Sequence, residues 1–331
     1  MTTSPTLPSR VLGAVLGAAI GDAMGHPTEF MSLDAIRQKF GDDGVTGFVL
    51  FDEQNGKRFA PYTDDTQMAE VVLRSLLDSI DDADDPASPD LDGTMRRMAD
   101  GFVDWAQNPL GGHRAPGNAC LAGCAALANG THWSEAGGAK AGGCGSVMRA
   151  YPFGLGLLDD VVMKTWAVSH SKLTHRDPIA LAACAAMAVG MRHAMRGNDV
   201  DDMLSDMVGA ARPHSAATAD MMQRAWDEAG AGAEPDAIFD WLRAWAAHEA
   251  IAAAVYLVAR HPDDFAAAVL EGANTEGDSD SIATLAGALV GARVGIEGIP
   301  KDWVDDVERS VELQALARRA AATVEAVQRA L

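Results

Sequence analysis

Residues 10–24 read RVLGAVLGAAIGDAM, and the small residues in this segment are the clearest indication of how the chain folds. Gly13, Gly17 and Gly21 recur every four residues, so they share one face of a helix. Small side chains at that spacing allow a second helix to approach closely. Asp22 and the helical pattern around it argue against a secretion signal. The segment therefore predicts a helix packed tightly inside a helical protein.

The rest of the chain shows the same helical periodicity, with abundant Ala and few β-branched runs. One segment, 45–51 (VTGFVLF), is predicted as a short strand. No internal repeat or linker divides the chain, so we predict a single compact all-α domain over residues 1–331, with a flexible N-terminus at residues 1–9. Further helices are predicted near residues 66–78, 94–107, 118–129, 177–195, 199–211, 217–229, 235–259, 263–271, 281–293 and 304–330.

The 331 residues have the composition of an ordinary globular protein, with 48% hydrophobic and 22% charged residues. Lys and Arg number 26 against 47 Asp and Glu, which gives a net charge of −21. Because nucleic acids and anionic membranes attract basic surfaces, this balance disfavours general nucleic-acid binding and membrane association. No window of about 20 residues is expected to span a bilayer, and we predict a cytoplasmic protein. The four cysteines are too few for a disulfide framework and are expected to be small buried thiols.

Two acidic segments each come directly before a predicted helix: TDDT (63–66) and GDSDS (277–281). Helix capping explains one carboxylate in each segment, because Ser, Thr and Asp side chains accept bonds from the first backbone N–H groups. It does not explain adjacent carboxylates, which repel each other unless a cation lies between them. If the two helix starts meet, their carboxylates and hydroxyls form the oxygen shell that hard divalent cations prefer. The pattern leaves both interpretations open, capping and a site for a pair of divalent cations.

Two further segments each have two interpretations, one functional and one structural, between which the sequence alone does not choose. Glu29, between Pro27 and Phe30, is either a surface acid or a desolvated carboxyl suited to proton transfer. The segment AGGCGS (141–146) predicts a Gly-rich turn before a helix, whose backbone N–H groups either bind a phosphate or only form a tight turn. It is neither a Walker loop nor a GxGxxG fingerprint after a strand, so a nucleotide-binding fold of those kinds is not indicated.

Taken together, five ordered segments resemble the ADP-ribosylglycohydrolase family over almost the whole chain. The first resembles the family's opening helix, the second its Thr-Asp-Asp-Thr metal motif, and the last its Asp-x-Asp-Thr helix start. The segments are GAVLGAAIGDAMGHPTEF (13–30), YTDDTQM (62–68), GGCGSVMRAYPFGL (142–155), LTH followed by DP (173–178), and GDSDSIATLAGALVG (277–291).

This resemblance implies an all-helical fold with a dinuclear site for two Mg²⁺ or Mn²⁺ ions. It also implies hydrolysis of the N- or O-glycosidic bond at C1″ of ADP-ribose, on proteins modified at arginine or serine or on small-molecule ADP-ribose conjugates. Glu29 is expected to transfer a proton, and Asp65 and Asp280 are further candidate catalytic carboxylates. The implied metal ligands are Thr63, Asp64, Asp65, Asp278, Asp280 and Ser281. The implied ADP-ribose contacts are Gly143, Cys144, Gly145, Ser146, His175, Gly117 and Asn118.

Two positions depart from the family's pattern. Ser281 keeps a hydroxyl where the family usually has Thr, and Ala115 stands where the nitrogenase-regulating members carry Asp. Two other hypotheses therefore stand beside the hydrolase. A catalytically inactive relative that binds ADP-ribose is disfavoured, because oxygen donors remain at all six metal positions. A hydrolase of another nucleotide or N-glycoside on the same scaffold stays open because of the altered 114–119 loop.

Overall fold

Helices make up most of the structure, a computed structural model that describes residues 4–54, 56–86 and 88–330. The all-α prediction is confirmed. The helices are α1 (Leu7–Gly25), α2 (Leu33–Phe40), α3 (Asp64–Asp81), α4 (Leu91–Gln107), α5 (Asn118–Ala128), α6 (Trp133–Ala136), α7 (Asp160–Ser171), α8 (Pro178–Arg196), α9 (Val200–Ala211), α10 (Ala216–Gly230), α11 (Pro235–Phe239), α12 (Ala247–Arg260), α13 (Phe265–Ala273), α14 (Ser279–Val294), α15 (Lys301–Asp306) and α16 (Ser310–Ala330). The strands β1 (Asp52–Gln54) and β2 (Lys57–Phe59) pair as an antiparallel hairpin.

Two glycine-rich helices, α1 and α14, lie antiparallel at the centre of the fold. A Cβ added to Gly21 would overlap the carbonyl oxygen of Ala283, so the two backbones touch without intervening side chains. The close helix contact predicted from the glycine spacing is therefore confirmed. The contact continues to the end of α1, where Gly25 lies against the backbone of Asp280. This packing joins the end of the first helix to the second acidic segment.

Alanine-rich helices surround this central pair. Most residues of α8, α12 and α14 are buried, and Ala recurs in all three helices. Short side chains let neighbouring helices pack at close range over a large apolar area. Ala is therefore the most frequent residue of the core, with Leu, Ile, Val and Met between the helices.

The predicted helix over 235–259 is wrong in its middle, because the chain leaves the helix after α11 and resumes it at α12. Ala244 lies in this interruption with a φ of +56°, which an α-helix does not contain. The Arg243 carbonyl accepts the N–H of Asp278 at 3.1 Å. In a continuous helix it would instead accept the N–H of the residue four positions later. The interruption brings Trp245 to the surface of the cleft described below.

Three other local predictions differ from the structure. The predicted helix over 304–330 divides into α15 and α16, with Arg309 between them at a φ of +50°. Helices α2, α6 and α7 were not predicted. The predicted strand at 45–51 is wrong, since the hairpin follows directly after it. Val45 instead donates its N–H to the side chain of Asn274 at 2.8 Å, which holds this segment as a loop against α13.

Helix α1 begins at Leu7, so the predicted flexible N-terminus over residues 1–9 is wrong for residues 7–9. Residues 1–3 of that prediction lie outside the described residues. Two segments, Leu7–Thr28 and Pro178–Arg196, are long and apolar enough by length and composition to cross a bilayer, contrary to the expectation from the sequence. In the fold, 83% and 72% of their most apolar windows are buried, so core packing accounts for their apolar character.

Candidate active site

The first half of the site is the N-terminus of α3. Thr63 caps this helix, because its side-chain oxygen accepts the N–H of Asp65 at 3.3 Å. Buried Asp22 of α1 accepts the backbone N–H groups of Thr63 at 2.8 Å and Thr66 at 2.9 Å, and the Thr66 hydroxyl at 2.6 Å. The helix start therefore does not depend on the carboxylates of Asp64 and Asp65 for its capping. Sequence reasoning missed this role of Asp22, since its partners lie more than forty residues away.

The second half is the N-terminus of α14. Asp278 is at the N-cap position, but its side chain makes no capping bond. Gly277 precedes it with a φ of +99°, and a Cβ there would overlap the carbonyl of Arg243. The Phe30 N–H donates to the Gly277 carbonyl at 2.7 Å, which ties the segment after α1 to this turn. The capping interpretation thus accounts for Thr63 but not for Asp278.

The two helix starts meet, and their carboxylates converge with Glu29. One oxygen from each of Glu29, Asp278 and Asp280 lies within 4.8 Å of the other two. Across the helices, the hydroxyl of Ser281 donates to Asp65 Oδ2 at 2.9 Å. The two acidic segments therefore meet, which is the condition that the sequence left open, and Glu29 lies beside Asp278 and Asp280.

Burial and mutual repulsion disfavour simultaneous ionisation of these carboxyl groups. Desolvation, followed by the charges of neighbouring carboxylates, raises the pKa of Asp64 to about 8. The same causes raise the pKa of Glu29 to about 8. Burial also raises the pKa of Asp65 and that of Asp280 well above the ordinary value. Among the described residues, no ion pair involves any carboxylate of this cluster.

The carboxylate cluster lies in the wall of a cleft of about 350 Å³. That volume is within the range of small-molecule sites. The predicted site residues that line it are Glu29, Asp64, Asp65, Gly117, Asn118, Gly143, Cys144, Gly145, His175, Asp278, Asp280 and Ser281. The lining residues that sequence reasoning did not select are Phe30, Ala115, Pro116, Ala119, Cys120, Met148 and Trp245.

The two remaining predicted residues lie behind the cleft wall. Thr63 is buried, and its hydroxyl donates to Asp280 Oδ2 at 3.3 Å. Ser146 is fully buried, and its Oγ accepts the hydroxyl of Ser171 at 2.9 Å, so its side chain does not line the cleft as predicted. The predicted helix after the Gly-rich turn is also wrong, because Cys144–Ser146 forms only a three-residue 3₁₀ helix.

A fully buried arginine fixes the Gly-rich loop and the histidine opposite it. The Arg149 guanidinium donates to the Gly145 carbonyl at 2.5 Å and to the Thr174 hydroxyl at 2.6 Å. The Thr174 hydroxyl is in turn 2.7 Å from His175 Nδ1. Burial, and then the Arg149 charge, lowers the pKa of His175 to about 3, so this imidazole is neutral. A Cβ at Gly145 would lie only 3.0 Å from the His175 ring, so the close approach requires glycine.

Cys144 belongs to the carboxylate cluster as well as to the Gly-rich loop. Its thiol donates to Asp278 Oδ2 at 2.6 Å, and Sγ lies 3.4 Å from the oxygen of Ser281, whose single proton is donated to Asp65. Burial, reinforced by the charge of Asp278, raises the pKa of this thiol well above its usual range. The thiol therefore stays protonated as a donor. The other three cysteines are buried, as expected from the sequence, whereas the expectation is wrong for Cys144, which is only partly buried.

An aromatic pair and a strained loop border the cleft. Phe30 and Trp245 stack with ring centroids 4.8 Å apart, although they are 52% and 61% exposed. Phe30 has a φ of +58° and Ala115 a φ of +50°, which are costly for residues other than glycine and are typical of functional sites. Gln67 holds the loop before Ala115 by donating to the Leu110 carbonyl at 2.8 Å. The sequence did not indicate Trp245 as a site residue, because a continuous helix was predicted over 235–259 and its interruption was not.

Comparison with known proteins agrees with this geometry. The chain is 27% identical over 314 residues to an ADP-ribosyl-[dinitrogen reductase] glycohydrolase of Rhodospirillum rubrum, and the match covers 94% of each protein. It is 28% identical to an ADP-ribosylarginine hydrolase of Pseudomonas putida (strain GB-1), over 58% of this chain and 49% of that relative. A solved ADP-ribosylglycohydrolase-related protein complex shares the fold, with a TM-score of 0.68 at 24% identity over 96% of this chain and 99% of that one.

The family model for ADP-ribosylglycohydrolase matches residues 3–330. That match includes both helix starts of the carboxylate cluster, the Gly-rich loop and His175. The chain therefore belongs to the ADP-ribosylglycohydrolase family, whose members are enzymes that hydrolyse glycosidic bonds.

Proposed function

We propose that the protein is a metal-dependent hydrolase of the glycosidic bond at C1″ of ADP-ribose. The observation that carries this proposal is the convergence of two acidic helix starts with Glu29 in the wall of a cleft that the Gly-rich loop also lines. Two relatives are named for hydrolysis of ADP-ribosylated dinitrogen reductase and of ADP-ribosylarginine. These names support ADP-ribosylated proteins or conjugates as the substrates of this protein. Arginine, serine and small-molecule linkages remain the candidates.

The residues of the cluster fit a pair of Mg²⁺ or Mn²⁺ ions. Five carboxylates with hydroxyls between them provide hard oxygen donors, and no described ion pair neutralises them. Such ions, when bound, orient the ribose hydroxyls, stabilise negative charge and lower the pKa of a bound water. The residues that would hold them are Thr63, Asp64, Asp65, Asp278, Asp280 and Ser281, with Thr63 acting through its bond to Asp280.

Glu29 is the group best suited to transfer a proton. It lines the cleft, and its oxygen lies within 4.8 Å of those of Asp278 and Asp280. No hydrogen bond in the described chain occupies its carboxylate. A carboxyl with a pKa raised to about 8 holds a proton near neutrality, while bound cations favour its ionised form. Glu29 therefore serves either as the acid for the leaving group or as the base for the attacking water.

The rest of the cleft is suited to the diphosphate and the sugars. Gly143 and Gly145 bring the backbone close to the cleft, and neutral His175 can donate or accept a hydrogen bond there. Because the whole protein carries a net charge of −21, local N–H groups and the cations must offset its repulsion of an anionic substrate. We also propose that the enzyme works in the cytoplasm, away from membranes and without general nucleic-acid binding.

Release of ADP-ribose from three defined conjugates tests the proposal. ADP-ribosylarginine, ADP-ribosylserine and O-acetyl-ADP-ribose are incubated with the protein, with EDTA and with EDTA followed by excess Mg²⁺ or Mn²⁺. We expect hydrolysis of at least one conjugate, its loss with EDTA and its recovery with either cation. Asp280→Asn should abolish it, whereas Asp100→Asn, an exposed change of the same charge on α4, should not. Inertness towards all three conjugates, or full turnover without metal, contradicts the proposal.

A further inference from the structure

A second open cleft, of about 570 Å³, lies between the end of α7, the face of α8 and the end of α9. It shares no lining residue with the candidate active site. The lining residues are Lys164, Thr165, Val168, Ser169, Lys172, Ala185, Val189, Asp206, Gly209, Ala210, Pro213 and His214. Its volume is that of a small-molecule site, and neither the proposed function nor the family motifs use it.

Two lysines in this cleft have no partner among the described residues. The ammonium groups of Lys164 and Lys172 form no ion pair or hydrogen bond within the described chain, although acidic residues outnumber basic ones by 47 to 26. His214 lines the same cleft, and its pKa is lowered by partial burial and by the nearby charge of Lys172. The one carboxylate of the lining, Asp206, is already engaged, because His193 Nε2 lies 3.0 Å from it. Two ammonium groups against one carboxylate leave a net positive charge in this cleft of a strongly negative protein.

The hydroxyl of a largely buried serine faces the same space. Ser169 is 94% buried and lines the cleft, yet its hydroxyl has no hydrogen-bond partner in the described residues. A helical serine usually bonds to the carbonyl four residues earlier, and this one does not. This hydroxyl is accessible from the cleft, so a ligand oxygen there would accept a hydrogen bond from it.

Most of the remaining lining residues are apolar. Val168, Val189 and Pro213 offer a surface on which the uncharged part of a ligand can pack. We propose that this cleft binds a phosphate-bearing small molecule, with the phosphate between Lys164, Lys172 and the Ser169 hydroxyl and the organic part on the apolar wall. Both ammonium groups and the hydroxyl are donors, which matches the acceptor-only oxygens of a phosphate.

The competing explanation is that the lysines serve the helix ends. Lys172 follows the last residue of α7, where a cation stabilises the helix dipole. That account does not extend to Lys164, which lies two turns earlier in the same helix, or to the hydroxyl of Ser169. The two explanations therefore differ in whether a phosphate binds at all.

Calorimetric titration with inorganic phosphate, AMP and adenosine distinguishes them. The protein carries its metal, and the variant Lys164→Met/Lys172→Met removes both charges while leaving the active-site cleft intact. We expect AMP to bind more tightly than phosphate or adenosine, and a component of AMP binding to weaken at least tenfold in the double variant. Lys39→Met, an exposed lysine on α2 outside the cleft, should leave AMP affinity unchanged. Equal AMP affinity in the wild type and the double variant overturns the proposal, as does equal affinity for AMP and adenosine.

A second variant fills the cleft without removing charge. No atom of the described residues lies within 4 Å of a Cβ added at Gly209, so Gly209→Leu should fold well and occupy space in the cleft. Gly230→Leu is the matched control, since that helical glycine also has open space around it and does not line the cleft. We expect Gly209→Leu to weaken the same component of AMP binding at least tenfold and Gly230→Leu to leave it unchanged. Equal AMP affinity in these two variants refutes a ligand site in the cleft.

Discussion

Removal of divalent cations should make the stability of the protein fall as the pH rises. In the cation-free protein, the pKa of Asp64 is raised to about 8 from an ordinary value near 3.8. The folded state therefore binds more protons than the unfolded state between these values, and its free energy of unfolding decreases as the pH rises through that window. Bound Mg²⁺ or Mn²⁺ neutralises the ionised carboxylates and cancels this loss.

The size of the effect follows from the shift. About 4 pKa units at about 1.4 kcal/mol each set an upper bound near 6 kcal/mol for Asp64. Relaxation and water entry around buried charges reduce this value, so we expect about 3 kcal/mol between pH 5 and pH 8. At roughly 2 °C per kcal/mol for a chain of this size, the Tm in EDTA should fall by about 6 °C. The increase in Tm caused by Mg²⁺ should therefore be larger at pH 8 than at pH 5.

Thermal unfolding of the wild type, Asp64→Asn and Asp100→Asn measures this directly. In EDTA at pH 8, Asp64→Asn should raise the Tm, because it removes a charge that the cluster does not neutralise. The same variant should gain less Tm from Mg²⁺ than the wild type gains. Asp100→Asn changes the net charge equally on an exposed helix face and should leave both quantities unaltered. The reasoning is refuted if the cation-free Tm is the same at pH 5 and pH 8, or if Asp64→Asn lowers it at pH 8.

Three further predictions follow from the site and the core. Glu29→Gln should lower kcat by about 10²–10⁴-fold with little change in ADP-ribose affinity by calorimetry, and a decrease below tenfold would assign Glu29 a structural role. Gly21→Ala should lower the free energy of unfolding in urea by about 1–3 kcal/mol, because the added Cβ meets a backbone carbonyl. Gly209→Ala, where the added Cβ has open space, should instead raise that free energy by up to about 1 kcal/mol. Equal effects of the two substitutions would contradict the α1–α14 contact. Asp22→Asn should lower the Tm by several degrees with and without Mg²⁺, because the two N–H groups and the hydroxyl that Asp22 accepts lose a matched carboxylate. An unchanged Tm would refute the role of Asp22 as the cap of α3.

Local patterns were sufficient for much of the fold and for the acidic halves of the site. Most helices lie within a few residues of their predicted positions, because the spacing of apolar and small residues is a property of each segment alone. The two helix starts carry their carboxylates within a few consecutive residues, so the sequence could single them out. The glycine spacing of α1 likewise predicted a close helix contact, although not its partner.

The interruptions of two predicted helices had no local signal. Residues 240–246 contain no Gly or Pro, so periodicity continues through them. Their departure from the helix is stabilised by bonds to residues far along the chain, such as the one from Asp278 to the Arg243 carbonyl. The stack of Trp245 on Phe30 depends on this interruption and could not be predicted from either segment.

The sequence by itself determined the helical class, the acidic helix starts and the small-residue face of the first helix. Only the tertiary structure decided that Glu29 joins Asp278 and Asp280, that Asp22 caps α3, and that Ser146 turns away from the cleft. The physical reason is the antiparallel contact of α1 with α14, which brings residues about 250 positions apart against one another. Hydrophobic periodicity specifies the face that a helix buries, whereas the partner of that face is chosen by packing of the whole chain.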